Sequence, residues 1–528
     1  MLDTTIRWSL RNRLAVLVGA VLLLGGGIYA AWTLPVDVFP DLTAPTVTVL
    51  TESHGMATEE VERQVTYPIE TSVNGSAGVR RVRSSSAQGI SIVWVDFEWG
   101  TDIYQARQIV SEKLQNVRAQ LPAEANQPML APVTSIMGEI MLVGMTGGEN
   151  VSPMALRTAA DWRVRRRLLS IPGVAQVVPI GGEVRQYQVR VQPQALKAYD
   201  LTPSDVVEAT DRSNRNASGG IFQESGRGVL IRGLARAQNV EEIGQTVVQS
   251  REGSPVLLRH VADVQIGPAP RIGTAGVNGE PAVVLSVLKQ PGVNTLELTE
   301  RVNAELDQIE GALPEGMQIH RSIFRQADFI SLAVSNVIEA LRDGALLVIV
   351  ILFLFLWNFR TTVISVLAIP LSLAVAMVCM WMLGITINTM TLGGMAIAIG
   401  ALVDDAIIDV ENVFRRLKEN RQKPEEERRS ALRVVYEASR EVRGPIMNAT
   451  FIISIVFVPL FFLSGVEGRL LEPLGFAYIV SILASLGVAV TVTPVLCYFL
   501  LPKTSAIARD EESWLVEHLK SAYRWVLD

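Results

Sequence analysis

The chain has 528 residues, of which 49% are hydrophobic and 19% charged, with a mean hydropathy of +0.30. It is too apolar for a wholly soluble chain and too charged for a pure membrane bundle, so a membrane part must coexist with a large water-soluble part. The net charge of −6 suggests no nucleic-acid partner, and the only cysteines, Cys379 and Cys497, fall in apolar runs, which excludes a disulfide framework in the water-soluble part.

The first apolar run, 14–32, follows Arg7, Arg11 and Arg13. It exceeds the h-region of a signal peptide and no clean Ala-x-Ala site follows, so it reads as an uncleaved anchor. Roughly 300 residues then precede the next long apolar run, enough for two or more domains. Their patterning predicts a strand at 46–51, a helix at 58–73, a strand pair at 79–85 and 90–97, and an amphipathic helix at 102–121. The order β-α-β-β-α begins again with a strand at 139–145, a helix at 154–169, strands near 175–179 and 187–191, and a helix opened by Thr202-Pro203-Ser204-Asp205. Residues 219–268 interrupt with short strands and Gly-rich turns, after which a strand at 282–289, a helix at 295–309 and a strand at 317–322 resume the pattern. The expectation is a ferredoxin-like split βαβ repeat with a small domain inserted in its second copy.

Further apolar runs lie around 346–357, at 363–383, at 390–403, around 451–463 and at 476–501, which with the first predicts six membrane spans. The segments rich in Lys and Arg, namely the start, Arg360, 415–443 and the tail with Lys503, Lys520 and Arg524, alternate as cytoplasmic loops and put both termini inside. Trp32, Trp357 and Trp381 fall near span ends, where an aromatic belt places them.

One run carries acids: Asp404, Asp405, Asp409 and Glu411. A charge at the bilayer centre costs roughly 2.5–3.5 kcal/mol on insertion scales, so several acids in one span imply a bundle interior and ion or proton movement. At about 100° per residue Asp404 and Glu411 return to one face, while Asp405 and Asp409 form a second stripe. Gly393, Gly394, Ala396, Ala398, Gly400 and Ala401 precede them and let neighbouring helices approach closely. The alternative for Asp409 and Glu411 is an interfacial position that merely ends the helix before Arg415, Arg416 and Lys418. His54, His260, His320 and His518 are scattered without His-x-His or Cys pairing, and read as surface histidines rather than a zinc site. Met377, Met380, Met382, Met390 and Met395 read as either a soft-metal path or flexible core filler.

These features, with the runs Leu34-Pro35-Val36-Asp37-Val38-Phe39-Pro40-Asp41, Tyr67-Pro68-Ile69-Glu70-Thr71 and Trp99-Gly100-Thr101-Asp102-Ile103-Tyr104, make the chain resemble the N-terminal half of an RND (resistance-nodulation-division) efflux pump, in the heavy-metal branch. The resemblance covers essentially the whole chain. It implies an α-helical membrane bundle of six spans plus exported α+β ferredoxin-like porter subdomains with an inserted docking subdomain. The implied division is a cytoplasmic start and first span at 1–33, the first porter subdomain at 34–135, the second at 136–218 and 269–330, docking at 219–268, spans two to six at 331–502, and a cytoplasmic amphipathic helix at 503–528. The family's proton relay falls on Asp404 and Glu411 in Val403-Asp404 and Val410-Glu411-Asn412, with Asp405 and Asp409 as departures from the branch pattern. Ala398 stands where divalent-cation members carry a further acid, and Gly394-Met395-Ala396-Ile397-Ala398-Ile399-Gly400 leading into the acid resembles the monovalent copper/silver members better, so Cu(I) or Ag(I) is the closer type, although only Met390 matches a position of the family's methionine pathway and the other pathway methionines are lost. The resemblance implies a secondary transporter, a proton antiporter rather than an enzyme, in the bacterial inner membrane, with no cofactor. Its implied partners are a second pump half, a homotrimer, a periplasmic adaptor, an outer-membrane channel and a heavy-metal ion as substrate. Such pumps are roughly twice as long, so half a pump is expected here, and the lysine that answers the acids would lie in the other half. The remaining readings are divalent-cation or organic-substrate efflux, a half-length protein-export or lipid-handling factor, and an inactive docking subunit.

Overall fold

The computed structural model of the chain describes residues 2–40, 42, 44–134, 138–224, 227–234, 236–251, 253–271, 273–502 and 523–526. In chain order the elements are α1 (Leu2–Arg11), α2 (Arg13–Thr33), β1 (Thr46–Glu52), α3 (Thr58–Val61), α4 (Tyr67–Val73), β2 (Val79–Ala87), β3 (Ile90–Phe97), α5 (Ile103–Val117), β4 (Met129–Leu130), β5 (Glu139–Gly147), α6 (Pro153–Ala159), α7 (Arg165–Leu169) and β6 (Val174–Gly181). Next come β7 (Arg185–Val191), α8 (Pro193–Ala198), α9 (Pro203–Ser213), β8 (Ala217–Glu224), β9 (Arg227–Gly233), α10 (Val240–Gly244), β10 (Val247–Arg251), β11 (Ser254–Leu257), β12 (Ala262–Pro268) and β13 (Ala275–Val277). The last are β14 (Glu280–Lys289), α11 (Thr295–Glu310), β15 (Met317–Arg325), α12 (Gln326–Leu356), α13 (Phe359–Leu383), α14 (Thr389–Gln422), α15 (Ala431–Phe457) and α16 (Gly465–Leu500). The expected helix within 503–528 lies, apart from 523–526, outside the described residues. Two compact units result: Met1–Ile140 with Lys289–Glu300 and Arg325–Asp528, and Met141–Leu288 with Arg301–Phe324.

The water-soluble part of the first unit is built on an antiparallel sheet of order β2-β3-β1-β4. Val47, Val49, Val93, Val95 and Phe97 alternate onto its buried face. Against them lie Val61, Val65, Ile69 and Val73, four residues apart, a spacing that would drift about 120° round an undistorted helix. A wider π turn at Glu62–Thr66, between α3 and α4, takes up the drift and keeps all four on the sheet. Near the end of the inner strand β3, Asp96 is buried and accepts from Arg81 Nη2 (2.9 Å), Arg83 Nε (3.2 Å) and Thr46 Oγ1 (3.0 Å).

Burial alone would push the Asp96 carboxyl up, but the hydrogen bonds from Arg83, Arg81 and Thr46 outweigh it and hold it below the ordinary value of 3.8. The stabilisation is therefore fully present above the ordinary value and is lost as pH falls through the lowered folded one. Asp96→Asn should cost about 1–3 kcal/mol near neutral pH, with the gap to the parent closing in acid. Thermal melts of the purified chain at descending pH measure this, and a gap that persists at low pH would refute the charged account.

The second unit carries the sheet β13-β14-β5-β15, with β6 also on β14. It repeats the first in detail. Leu156, Ala160, Val164 and Leu168 are again buried at four-residue intervals, and a π turn at Ala160–Val164 again joins the two helical pieces. α11 buries Leu298, Val302, Leu306 and Ile309 with the spacing of Ala106, Val110, Leu114 and Val117 on α5. Each helix is capped four residues before the first of these: Asp102 accepts from the Tyr104 and Gln105 amides (2.9 Å each), and Asn294 from the Leu296 (3.0 Å) and Glu297 (3.3 Å) amides. Gly100 and Gly292, both with φ in the left-handed region (+87° and +75°), turn the chain two residues ahead of the caps.

One strand departs from the expected repeat. β7 pairs along its length with β12 and not with the β5 sheet. Its Val189 packs on a separate core of Leu196, Leu201, Val206, Leu258 and Val261, so the inserted segment has its own hydrophobic centre and draws β7 into it.

In the first unit, Arg13–Thr33, Phe359–Leu383, Thr389–Gln422, Ala431–Phe462 and Gly465–Leu500 are long and apolar enough to cross a membrane. α12, around the expected second span, is helical over 31 residues, but Glu339, Arg342 and Asp343 interrupt its apolar sequence. Trp32, Trp357 and Trp381 point outward from helix ends, and Val18, Leu22 and Ile28 of α2 are exposed, the surface that hydrocarbon would cover. Small residues set close helix contacts: a Cβ on Gly394 of α14 would collide with the Leu474 carbonyl oxygen of α16, and one on Gly27 of α2 would stand 2.5 Å from Ala374 Cβ of α13.

Candidate functional site

The acids lie on α14, and its start is pinned. Asn388 caps it, accepting from the Met390 and Thr391 amides at 3.0 Å each. The segment after the first span runs alongside: the Asp37 amide donates to Ile387 O (3.0 Å), the Ile387 amide to Pro35 O (2.9 Å), and Thr389 Oγ1 to Val38 O (2.7 Å). Asp37 Oδ1 accepts from Thr295 Oγ1 (3.1 Å) and stands 3.4 Å from Lys289 Nζ. Lys289 is buried and also donates to Thr295 Oγ1 (2.6 Å) and Val293 O (3.1 Å).

Helical phase then sorts the acids. Leu402, Ala406, Asp409 and Val413 fall on one buried stripe facing α15 and α16. Ile397, Asp404, Ile408 and Glu411 fall on another, which is exposed. The expectation of an interior Asp404 is thereby corrected for this chain: among the described side chains of α14 the fully buried acid is Asp409, and Asp404 lines an open cleft with Ala401 and Ile408 of its own helix and Glu441, Pro445 and Thr450 of α15. The Asp405 side chain lies outside the described residues. Neither Asp409 nor Glu411 ends the helix, since α14 runs on to Gln422.

Asp409 is not alone. Arg443 of α15 donates from Nη2 to Asp409 Oδ2 at 3.0 Å and also to the Ala489 carbonyl of α16. Sequence reasoning counted Arg443 among the basic residues of a cytoplasmic loop. The signal available was its position just before Gly444-Pro445 and an apolar run, on a helix that begins at Ala431. Next to Glu411, Asn412 donates to the Ala438 carbonyl (2.9 Å) and ties α14 to α15, while Arg416 forms two bonds to Glu441 (2.6 and 3.0 Å).

The candidate metal ligands separate. Met380 and Met395 are buried in an apolar cluster with Leu34, Ile387, Leu392 and Ala477, against which Met377 packs, so these three are core filler. Met382 is exposed, and Met390 is half-buried in the first turn of α14. Among the described residues no group of three or more His, Cys, Asp or Glu side chains is placed to hold a metal ion. His54 and His260 are exposed as expected, His320 is half-buried and bonded to Thr146 Oγ1 (2.8 Å), and His518 lies outside the described residues.

Apolar helices of spanning length gathered round one that carries acids, together with a large α/β part, are the build of a membrane transport protein. The chain belongs to the AcrB/AcrD/AcrF family of RND proteins, which matches residues 5–528. It is 36% identical over 538 residues to Protein HelA of Legionella pneumophila, covering 100% of this chain and 50% of the relative. It is also 36% identical over 506 residues to the cation efflux system protein CusA of Escherichia coli (strain K12), covering 94% of this chain and 48% of that protein. The cobalt-zinc-cadmium resistance protein CzcA of Cupriavidus metallidurans matches at 33% over 505 residues, 94% of this chain and 47% of the relative. The chain thus spans about half the length of the curated relatives it matches.

Proposed function

We propose that the chain is one half of a proton-driven efflux pump for heavy-metal cations, Cu(I) or Ag(I) favoured. The observation that carries this reading is Asp404, an acid on a helix of spanning length, presented in an open cleft. In the resemblance, the lysine that answers the acids belongs to the other half, and the exposed stripe of Ile397, Asp404, Ile408 and Glu411 is the surface such a half would cover. Asp404 and Glu411 form the relay, flanked by Asp405 and Asp409. Proton uptake at Asp404 changes the charge on that stripe, and hence how α14 sits against a facing helix.

The two sheets support porter subdomains of the ferredoxin-like kind, because each places its four main strands in the order second, third, first, fourth. α12 completes six spans in this reading. The hairpin β8–β9, with Ile221, Phe222, Val229 and Leu230 exposed, supports a docking role toward an outer-membrane channel in a trimer, with a periplasmic adaptor alongside. The placement is the bacterial inner membrane.

Ala398, where divalent-cation members of the branch carry an acid, supports a monovalent soft ion, and Met390, half-buried at the start of α14, stands outside the core cluster of Met377, Met380 and Met395. The second reading, divalent cations, rests on the additional carboxylates Asp405 and Asp409 and on the CzcA relative. A strain stripped of its own pumps and given this half with its native second half should gain tolerance to silver and copper above zinc, cobalt or cadmium. The reverse ranking would move the assignment to divalent ions, and tolerance to none of them would favour an organic substrate.

A further inference from the structure

We propose that Arg443 is the in-chain counter-charge of Asp409, and that the pair is a clamp positioning α14 against α15 and α16 rather than a proton-carrying step. The inference deepens the relay reading, on which its transport arm rests. The Asp409 side chain is 0% exposed and that of Arg443 4%, and their 3.0 Å contact crosses from α14 to α15. The same Nη2 reaches the Ala489 carbonyl, so one guanidinium joins three helices. Arginine does not give up its proton in a protein, so neutralising Asp409 would strand a buried cation. Asp404 carries no such penalty, because its carboxylate opens to a cleft.

The pair is also far from saturated. Asp409 Oδ1 and Arg443 Nε and Nη1 are buried without hydrogen-bond partners among the described residues. A buried ion pair with unmet capacity contributes little net stability compared with apolar packing. What it supplies is register: Asp409 and Arg443 meet only when α14 and α15 are at one axial offset and α16 presents Ala489. A partner that fixes α14 at Asp409 leaves the stripe of Asp404, little more than one turn away, free to respond to protonation. The acids on one helix thereby divide between a fixed charge and an exchangeable one.

Charge removal in pairs tests this in the full chain. Asp409→Asn and Arg443→Gln should each lower the melting temperature of the purified chain, and the double variant should be more stable than the Arg443→Gln single. In the complete pump, each single should reduce proton flux by about tenfold or more, while the double recovers to within about threefold of the parent with the pH midpoint of flux unmoved. Arg443→Lys, which keeps the charge, should retain more flux than Arg443→Gln even if the double variant does not fold. Melting effects that simply add would overturn the pair. So would a stable double variant whose flux stays lost or whose pH midpoint shifts, because Asp409 would then be carrying the proton, and so would a Lys variant no better than Gln. Failure of the relay reading itself shows elsewhere, as undiminished flux in Asp404→Asn, and leaves the melting cycle untouched.

Discussion

Asp404→Asn should abolish proton-coupled export by the assembled pump while leaving the chain as stable as its parent. Both halves of the expectation follow from where the side chain lies. Asp404 is exposed on the outer stripe of α14 and contributes nothing to the buried stripe of Leu402, Ala406 and Val413, so an isosteric amide removes no packing. Substitutions at such positions usually fall within about 0.5 kcal/mol. The amide cannot gain or lose a proton in the working range, so the charge on the cleft with Glu441 and Thr450 no longer changes. Proton flux in vesicles holding both halves, read beside a melting curve of the purified chain, checks the two together. Undiminished flux would remove Asp404 from the relay, and a large loss of stability would mean that the stripe is a structural face.

Much of the fold could be read from residue spacing, because sheet alternation and helical phase are properties of the chain itself. Val61, Val65, Ile69 and Val73 announce a helix, and their four-residue interval in retrospect announces the π turn as well. The second set, from Leu156 to Leu168, repeats the signal. Less could be read where the outcome depends on partners distant in sequence. Nothing local in Arg185–Val191 says that it will pair with Ala262–Pro268, since its composition suits either sheet.

The acids show the same limit. Phase separates Asp404 from Asp409 without help, but which stripe is buried depends on what packs there, and in this chain α15 and α16 cover the Asp409 side. Arg443 is easily misread for a related reason, despite its place just before Gly444-Pro445. Positive residues before a span are ordinarily solvated, and only the path of α15 carries this one beneath the surface to a carboxylate on another helix.

Lys289→Met should be the most damaging substitution among the polar residues around the start of α14. Lys289 is buried, and its ammonium satisfies three partners at once: the Asp37 carboxylate, the Thr295 hydroxyl and the Val293 carbonyl. A thioether fills the stem's space but leaves those acceptors without their cation. Breaking a fully buried ion pair costs about 3–5 kcal/mol, and because Asp37 keeps a quarter of its side-chain exposure, about 2–3 kcal/mol is expected here. The loss should be local in origin, since Asp37 also carries the backbone bond to Ile387 just before the Asn388 cap, and loosening Asp37 frees the segment that pins α14. Thr295→Val is the matched comparison, removing a hydroxyl at similar volume and costing about 1 kcal/mol. Thermal unfolding of the purified chain ranks the two. If Lys289→Met proves no worse than Thr295→Val, the ammonium is not what holds this junction, and the hydroxyl and backbone bonds alone anchor the entry to α14.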